Sequence, residues 1–270
     1  MAELDLAGKT AVITGASSGF GRETARVLAA RGVRVAGGAR RAERLETEIA
    51  LEVDVRDPVS SARFVDEAVA QLGGIDILIN SAGLALGRYL FDESTEADEQ
   101  QVFETNVNGL VRMTRLCLPH IRDGGHIVNL GSIAGRQAYE KAASYVASKF
   151  AVRGFTEALR QELDMANCGV SATCVHPGGI RTNIAKDAKM DESMHKATGG
   201  KTEEARAKFD KLLNATSAES AARTILGAVE GNKRRVLVGL DAKFLDKLVR
   251  VLGSWYQPLI TLFAKKGMLG

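Results

Sequence analysis

Cysteine is scarce in this 270-residue chain, and what there is does not pair. Cys117, Cys168 and Cys174 are an odd count without paired spacing, which argues against a disulfide framework and predicts a reducing, cytoplasmic setting. The four histidines, His120, His126, His176 and His195, fall into no zinc spacing, so no metal is expected. An excess of one charge is missing too. Lys and Arg number 36 against 33 Asp and Glu, and the net +3 gives no general reason to expect nucleic acid. No apolar run reaches the ~18 residues a membrane-spanning helix needs. The opening MAELDLAGK is short and acidic and predicts no secretory leader. There is no internal repeat and no low-complexity segment. What is left is an ordinary globular composition, 45% hydrophobic, and enough chain for a substantial core.

The chain alternates strand and helix patterns. Lys9–Thr14 reads as a short apolar strand, followed by the glycine turn Thr14–Gly21 and an amphipathic helix ended by Gly32. Val33–Ala39 is the second strand, followed by Arg40-Arg41 and a short helix. Ile49–Val55 is the third strand. Pro58 starts a helix ending at Gly73-Gly74, and Ile75–Asn80 is apolar throughout, as in a strand buried on both faces. A long helix is expected over Glu96–Arg122. The segment His126–Arg153 reads as a buried strand, a glycine-marked loop and a helix reaching about Asn167. Val170–Val175 is the sixth strand, and Arg235–Gly239 the last. This alternation predicts an α/β, single-domain, doubly wound parallel sheet of about seven strands with helices on both faces. Ligands of such sheets sit outside the carboxyl ends of the strands. Gly15–Gly21, Arg40, Asp54, Asn80, Ser132 and Pro177 all follow strand ends and are expected along one edge.

Three motifs at that edge carry chemistry. Gly15, Gly19 and Gly21 lie between a strand and a helix, where glycine lets backbone approach a pyrophosphate and the helix start offers free N–H groups. Gly15–Gly19 also fits G-x-S-x-G, the nucleophile elbow of hydrolases. Its place after the first strand, and the extra Gly21, favour phosphate binding. An NAD site would put an acid after the second strand. Here Arg40-Arg41 stand there, and a guanidinium pairs with a 2′-phosphate, which favours NADP. Finally, Tyr145 and Lys149 are four apart, sharing one helix face about 5–6 Å apart. An ammonium beside a phenol favours the phenolate and is expected to lower its pKa. Ser132, at a strand end, can hold a carbonyl oxygen beside that phenol.

In this order the motifs make the chain resemble the short-chain dehydrogenase/reductase family over about residues 6–240. T-G-x-x-x-G-x-G appears as Thr14–Gly21, and N-N-A-G as Asn80-Ser81-Ala82-Gly83, with Ser for the second Asn. The family's helical Asn matches Asn106, its Ser matches Ser132, and Y-x-x-x-K matches Tyr145 and Lys149. A departure is the stretch Arg41–Val53, shorter than the family's usual helix and strand. The resemblance implies a Rossmann fold and hydride transfer between NADP(H) and a carbonyl or secondary alcohol. It makes Tyr145 the general acid, has Lys149 tune Tyr145 and bind the nicotinamide ribose, has Ser132 orient the carbonyl, and gives Asn106 a water linked to Lys149. It implies a cofactor site of Gly15, Ser17, Ser18, Gly19, Phe20, Gly21, Arg40, Arg41, Asp54, Val55, Asn80, Ala82, Gly83, Tyr145, Lys149, Pro177, Gly178, Ile180 and Thr182. A catalytically silent NADP-binding sensor on the same fold is the rival reading.

Domain boundaries follow. Residues 1–240 are expected to form the dinucleotide-binding and catalytic unit, with 183–215 as a substrate lid, and 241–270 a basic, apolar, helical extension that Pro258 keeps from forming one long helix. Pocket walls are expected from Leu84–Glu93, Ile133–Ala142 and the lid, including Leu84, Leu86, Tyr89, Gln137, Tyr139, Met190 and Met194. They suggest a mostly apolar pocket for a medium to large ketone or alcohol. Arg136, Lys141 and Arg181 are the groups available for a carboxylate. Helices 96–122 and 143–167 are the expected homodimer or homotetramer contacts. The extension packs on a subunit, covers the cleft or touches a membrane surface through Trp255, Tyr256, Leu259, Ile260, Leu262 and Phe263.

Overall fold

A computed structural model of the chain describes residues 6–85, 91–140, 142–180 and 216–265. Seven strands form one sheet: β1 (Thr10–Thr14), β2 (Arg34–Ala39), β3 (Ile49–Glu52), β4 (Ile75–Asn80), β5 (Ile121–Leu130), β6 (Ser171–Pro177) and β7 (Arg235–Val238). Their order is β3-β2-β1-β4-β5-β6-β7, and every pairing is parallel. The helices are α1 (Gly19–Ala29), α2 (Pro58–Leu72), α3 (Glu96–Phe103), α4 (Gly109–Cys117), α5 (Ala143–Ala166), α6 (Ala218–Glu230), α7 (Leu240–Leu252) and α8 (Tyr256–Lys265). This is the expected doubly wound Rossmann arrangement. Strand order reverses between β1 and β4, which opens the crevice at their carboxyl ends.

The pleat splits the core in two. Along β4, Ile77 and Ile79 point into a cluster with Ile13, Leu28 and Ile225, whereas Ile75 and Leu78 join Phe64, Met113 and Ile127 on the other face. All four β4 side chains are fully buried, each worth about 1.5–3 kcal/mol of transfer free energy. The glycines of β2 are needed sterically. A Cβ on Gly38 would lie 2.6 Å from the Phe64 ring. Among the described residues no helix is long and apolar enough to cross a membrane.

Several boundaries differ from expectation. β3 stops at Glu52 because the Asp54 N–H is taken by Ser60 Oγ at 3.0 Å and its carboxylate turns back onto Arg56. The expected helix 96–122 ends at Cys117. Pro119, which lacks an N–H, sits in a tight turn at Leu118–His120, and β5 begins at Ile121. The strand is disguised by a bulge. Ile75 pairs with Ile121 but Ile77 with His126, so the polar Arg122–Gly125 stretch is looped out. β6 runs on to Pro177, where Pro177 pairs with Val238. After Arg41 there is only a single turn, Ala42–Arg44. In the extension Gly253 separates α7 from α8, and Pro258 lies in the first turn of α8, where proline is tolerated. The expected lid 183–215 lies outside the described residues.

Candidate active site

The crevice is built first from glycine. Thr14 ends β1, and its Oγ1 accepts hydrogen bonds from the N–H groups of Ser81 and Ala82, each at 3.2 Å. This pulls the β4 loop against the turn. A Cβ on Gly15, whose φ is +70°, would stand 2.8 Å from the Ala82 backbone. One on Gly21 would collide with the Gly15 carbonyl. Ser18 starts α1 but its side chain makes no cap, and the first turn carries no acid. The positive helix end and its free N–H groups therefore face a turn lined by Ser17, Ser18, Gly19 and Phe20, all partly exposed. A dinucleotide phosphate fits this cradle.

Along the neighbouring edge the sequence-predicted residues divide. Arg40 and Arg41 are exposed and form no ion pair among the described residues. Asp54 is clasped by Arg56, Nε to Oδ1 at 3.0 Å and Nη2 to Oδ2 at 2.6 Å, and this pairing holds its carboxyl below the usual range. The Val55 side chain turns away from the edge. It is buried against Gly109, and the Val55 carbonyl accepts from Arg112. The Asn80 side chain also turns inward, donating to Thr114 Oγ1 and Asn129 Oδ1 at 2.9 Å each. It braces β4 to β5 and α4. Ala82 packs under Gly15, and Gly83 marks the path to the catalytic end: a Cβ there would be 3.2 Å from Asn106 Oδ1 and 3.7 Å from Lys149 Nζ.

Ser132, Tyr145, Lys149 and Asn106 converge. Ser132 follows β5, accepts from the Ala134 N–H at 3.0 Å and hydrogen-bonds the Tyr145 side chain. Tyr145 and Lys149 lie one turn apart on α5, with Nζ 5.7 Å from the phenol ring centre. Lys149 is buried and donates to the Leu130 carbonyl at 2.9 Å. The electrostatics correct one expectation. Tyr145 is half-buried, and desolvation of a phenolate pushes its pKa above the ordinary value, against the opposing bond from Ser132. Lys149 aims at Leu130 rather than the phenol, and burial pulls its own pKa down to about 8.

Asn106 sits in a wide π-type turn, Glu104–Asn108, just before Gly109, which closes it by bonding Glu104 O. Both ends of the Asn106 amide are used: Oδ1 accepts from Leu84 N and Nδ2 donates to Leu84 O, each at 2.9 Å, and Nδ2 also reaches Ser148 Oγ at 3.1 Å. Ser148, fully buried, donates to Tyr145 O at 2.7 Å and so links Asn106 to the catalytic helix. Sequence reasoning missed Ser148; its one signal was a serine inside a helix, next to Lys149. It also missed His176, whose Nδ1 lies 2.9 Å from Ser132 O, and burial pulls that ring's pKa down to about 4.

The far wall comes from the extension. Asp246 on α7 binds Arg136 at 2.6 Å, both side chains buried, and Tyr256 OH accepts from Ala138 N at 3.0 Å. Asp241 accepts from Gly179 N at 2.5 Å, and its carboxylate occupies the space a Cβ on Gly178 would need. Gly178 N bonds Val238 O at 2.9 Å, and Ile180 is buried beside Thr216. One expectation changes. Arg136 is held by Asp246 rather than open to a substrate carboxylate, while Gln137 is buried. Leu86, Tyr89, Lys141, Arg181, Thr182, Met190 and Met194 lie outside the described residues.

The chain is similar to known proteins in sequence and in fold. The family model described as short chain dehydrogenase matches residues 9–193. The Mycobacterium tuberculosis protein named as an oxidoreductase, SadH, is 38% identical over 266 residues, covering 94% of each chain. A short-chain dehydrogenase/reductase of Burkholderia phymatum, solved with NAD, superposes with a TM-score of 0.82 at 24% identity, covering 94% of this chain and 97% of that one; this likeness is one of fold. A short-chain dehydrogenase of Burkholderia cenocepacia J2315, solved with NADP, gives a TM-score of 0.74 at 27% identity, covering 89% and 100%.

Proposed function

The chain belongs to the short chain dehydrogenase family, and on that premise we propose that it moves a hydride between NADP(H) and the carbonyl or secondary alcohol of a medium to large apolar substrate. The observation that carries this reading is the placement of a phenol at the end of the sheet. Tyr145 is hydrogen-bonded to Ser132, lies one turn from a buried lysine, and stands on the edge where the glycine turn opens.

When bound, the dinucleotide supplies the hydride. Every other part of the work falls to the chain. The N–H groups at the start of α1 hold the phosphates and Gly15–Gly21 let the backbone approach them. Arg40 and Arg41, exposed and without an ion pair among the described residues although Arg40 lies in the field of Asp54, take the 2′-phosphate. In the reductive direction Ser132 holds the substrate oxygen and Tyr145 gives it a proton. The raised pKa suits that direction, because the phenol stays loaded at neutral pH. Lys149, charged below about pH 8, binds the nicotinamide ribose and steadies the phenolate left behind. Asn106 has spent its side chain on Leu84 and Ser148, so its main-chain carbonyl, in the widened turn, is the group that would hold a relay water. Pro177, Gly178, Ile180 and Thr182 are the proposed carboxamide contacts.

Residues 1–240 are proposed as the catalytic unit, 183–215 as its lid and 241–270 as an appended extension. A homodimer or homotetramer through 96–122 and 143–167 fits the reading, as does a reducing cytoplasm for a chain whose cysteines are free. The test is consumption of NADPH and NADH, measured in parallel against a panel of ketones of increasing size. Faster oxidation of NADPH with the larger apolar ketones is expected. Equal use of NADH removes the Arg40–Arg41 argument. Binding of either cofactor without turnover of any carbonyl identifies a cofactor-sensing protein instead.

A further inference from the structure

The inner face of the extension is occupied by the contacts of Asp241, Asp246 and Tyr256; its outer face is exposed among the described residues. Of the nine large apolar side chains exposed among the described residues, five lie in 240–262: Leu240, Phe244, Val251, Trp255 and Leu262. Leu240, Phe244, Lys247 and Val251 recur at helical spacing and form one stripe on α7. Phe244 is 66% and Trp255 75% exposed. Along the same face run Lys243, Lys247 and Arg250, all exposed. An aromatic-bearing apolar stripe with lysines beside it is the pattern of a helix that lies in a bilayer surface.

Charge decides between the possible occupants. Residues 240–265 contain only two carboxylates, Asp241 and Asp246. Asp241 is bonded to Gly179 and Asp246 is buried between Arg136 and Arg250. A second copy meeting this face through a twofold axis would bring lysines against lysines, with no free acid to receive them. An anionic headgroup layer supplies the missing charge and a place for Phe244 and Trp255.

We propose that α7 and α8 dock the protein flat on an anionic lipid surface through Leu240, Phe244, Val251 and Trp255, with Lys243 and Lys247 meeting the headgroups. The inner side of the same helix holds Arg136, and Tyr256 holds Ala138. Docking therefore places the loop after Ser132 within about one helix diameter, some 10–12 Å, of the lipid. An apolar substrate dissolved in that surface reaches the loop without crossing bulk water. This last point rests on the carbonyl-reductase reading; the docking itself does not.

The experiment is flotation of the full-length protein with phosphatidylcholine vesicles, with and without phosphatidylglycerol, at low and high salt. Binding to the anionic vesicles is expected, weakening with salt. Lys243→Gln and Lys247→Gln should each weaken it about fivefold. The double variant Phe244→Ser/Trp255→Ser should lose it while keeping the wild-type melting curve, since both side chains are exposed. No flotation with anionic vesicles overturns the proposal. So does a dimer in sedimentation equilibrium that Phe244→Glu converts to monomer, because the face then belongs to a second copy. Neither readout uses turnover, so failure here leaves the reductase reading standing, and the reverse.

Discussion

The glycine turn after β1 and the loop after β5 cap the strand ends on either side of β4 by opposite means. The turn is made by leaving side chains out: Gly15 and Gly21 have no room for a Cβ, and Thr14 holds the opposite loop with a single hydroxyl. The loop is made by side chains reaching from the far end of the chain, Arg136 to Asp246 across 110 positions and Ala138 to Tyr256 across 118. One is a fixed cradle specified locally. The other is a wall whose position depends on a separate segment.

That contrast can be broken at either end. The largest effect is expected from Asp246→Ala, which leaves the buried Arg136 without its partner. Removing one member of a buried pair costs about 3–5 kcal/mol, to be read from urea unfolding. Cofactor affinity should stay within a few-fold. Gly15→Ala should reverse the pattern. It forces a Cβ into the Ala82 backbone at a φ of +70°, costs about 1–3 kcal/mol, and should weaken NADPH binding more than tenfold by calorimetry. If Gly15→Ala binds normally, the cradle is not where the phosphates sit. Tyr256→Phe is gentler. It removes the acceptor for Ala138 N, about 1 kcal/mol, and should raise KM for large ketones more than it changes kcat.

Two pH effects sharpen the picture. Lys149 carries its charge below about pH 8 and loses it above, because burial lowers its pKa. NADPH affinity should fall as pH rises through about 8, and Lys149→Met should be flat across that range. His126 and His176 are both pulled down to about 4 by burial. The unfolded chain binds protons on these rings first, so stability should decline as pH drops from about 6.5 to 4. A stability profile that is level over that interval would show the rings are not desolvated.

What was legible in the sequence follows the same division. Motifs whose members lie within one or two elements were readable: Gly15–Gly21, the strand-end alignment, and Tyr145 with Lys149 on one helix face. The clamp on Arg136 was not readable, because neither residue has a local signature and Asp246 looks like any acid on an amphipathic helix. β5 was entered too late because Arg122–Gly125, just after its first residue Ile121, are polar and looped out. Arg122 instead reaches Asp76 at 2.8 Å, at the end of the sheet away from the site. The direction of the Tyr145 shift was misjudged for a physical reason: spacing shows that an ammonium is near, but not that Leu130 takes it and that burial outweighs it.

The central claim is that the Tyr145 hydroxyl delivers the proton during hydride transfer. Tyr145→Phe removes that oxygen and keeps the ring. NADPH titration and single-turnover reduction of the best ketone, measured on the same preparation, give the direct test. The account predicts NADPH affinity within a few-fold of wild type and a reduction rate lower by about 10²–10⁴-fold. A reduction rate close to wild type, with the cofactor bound, would contradict it.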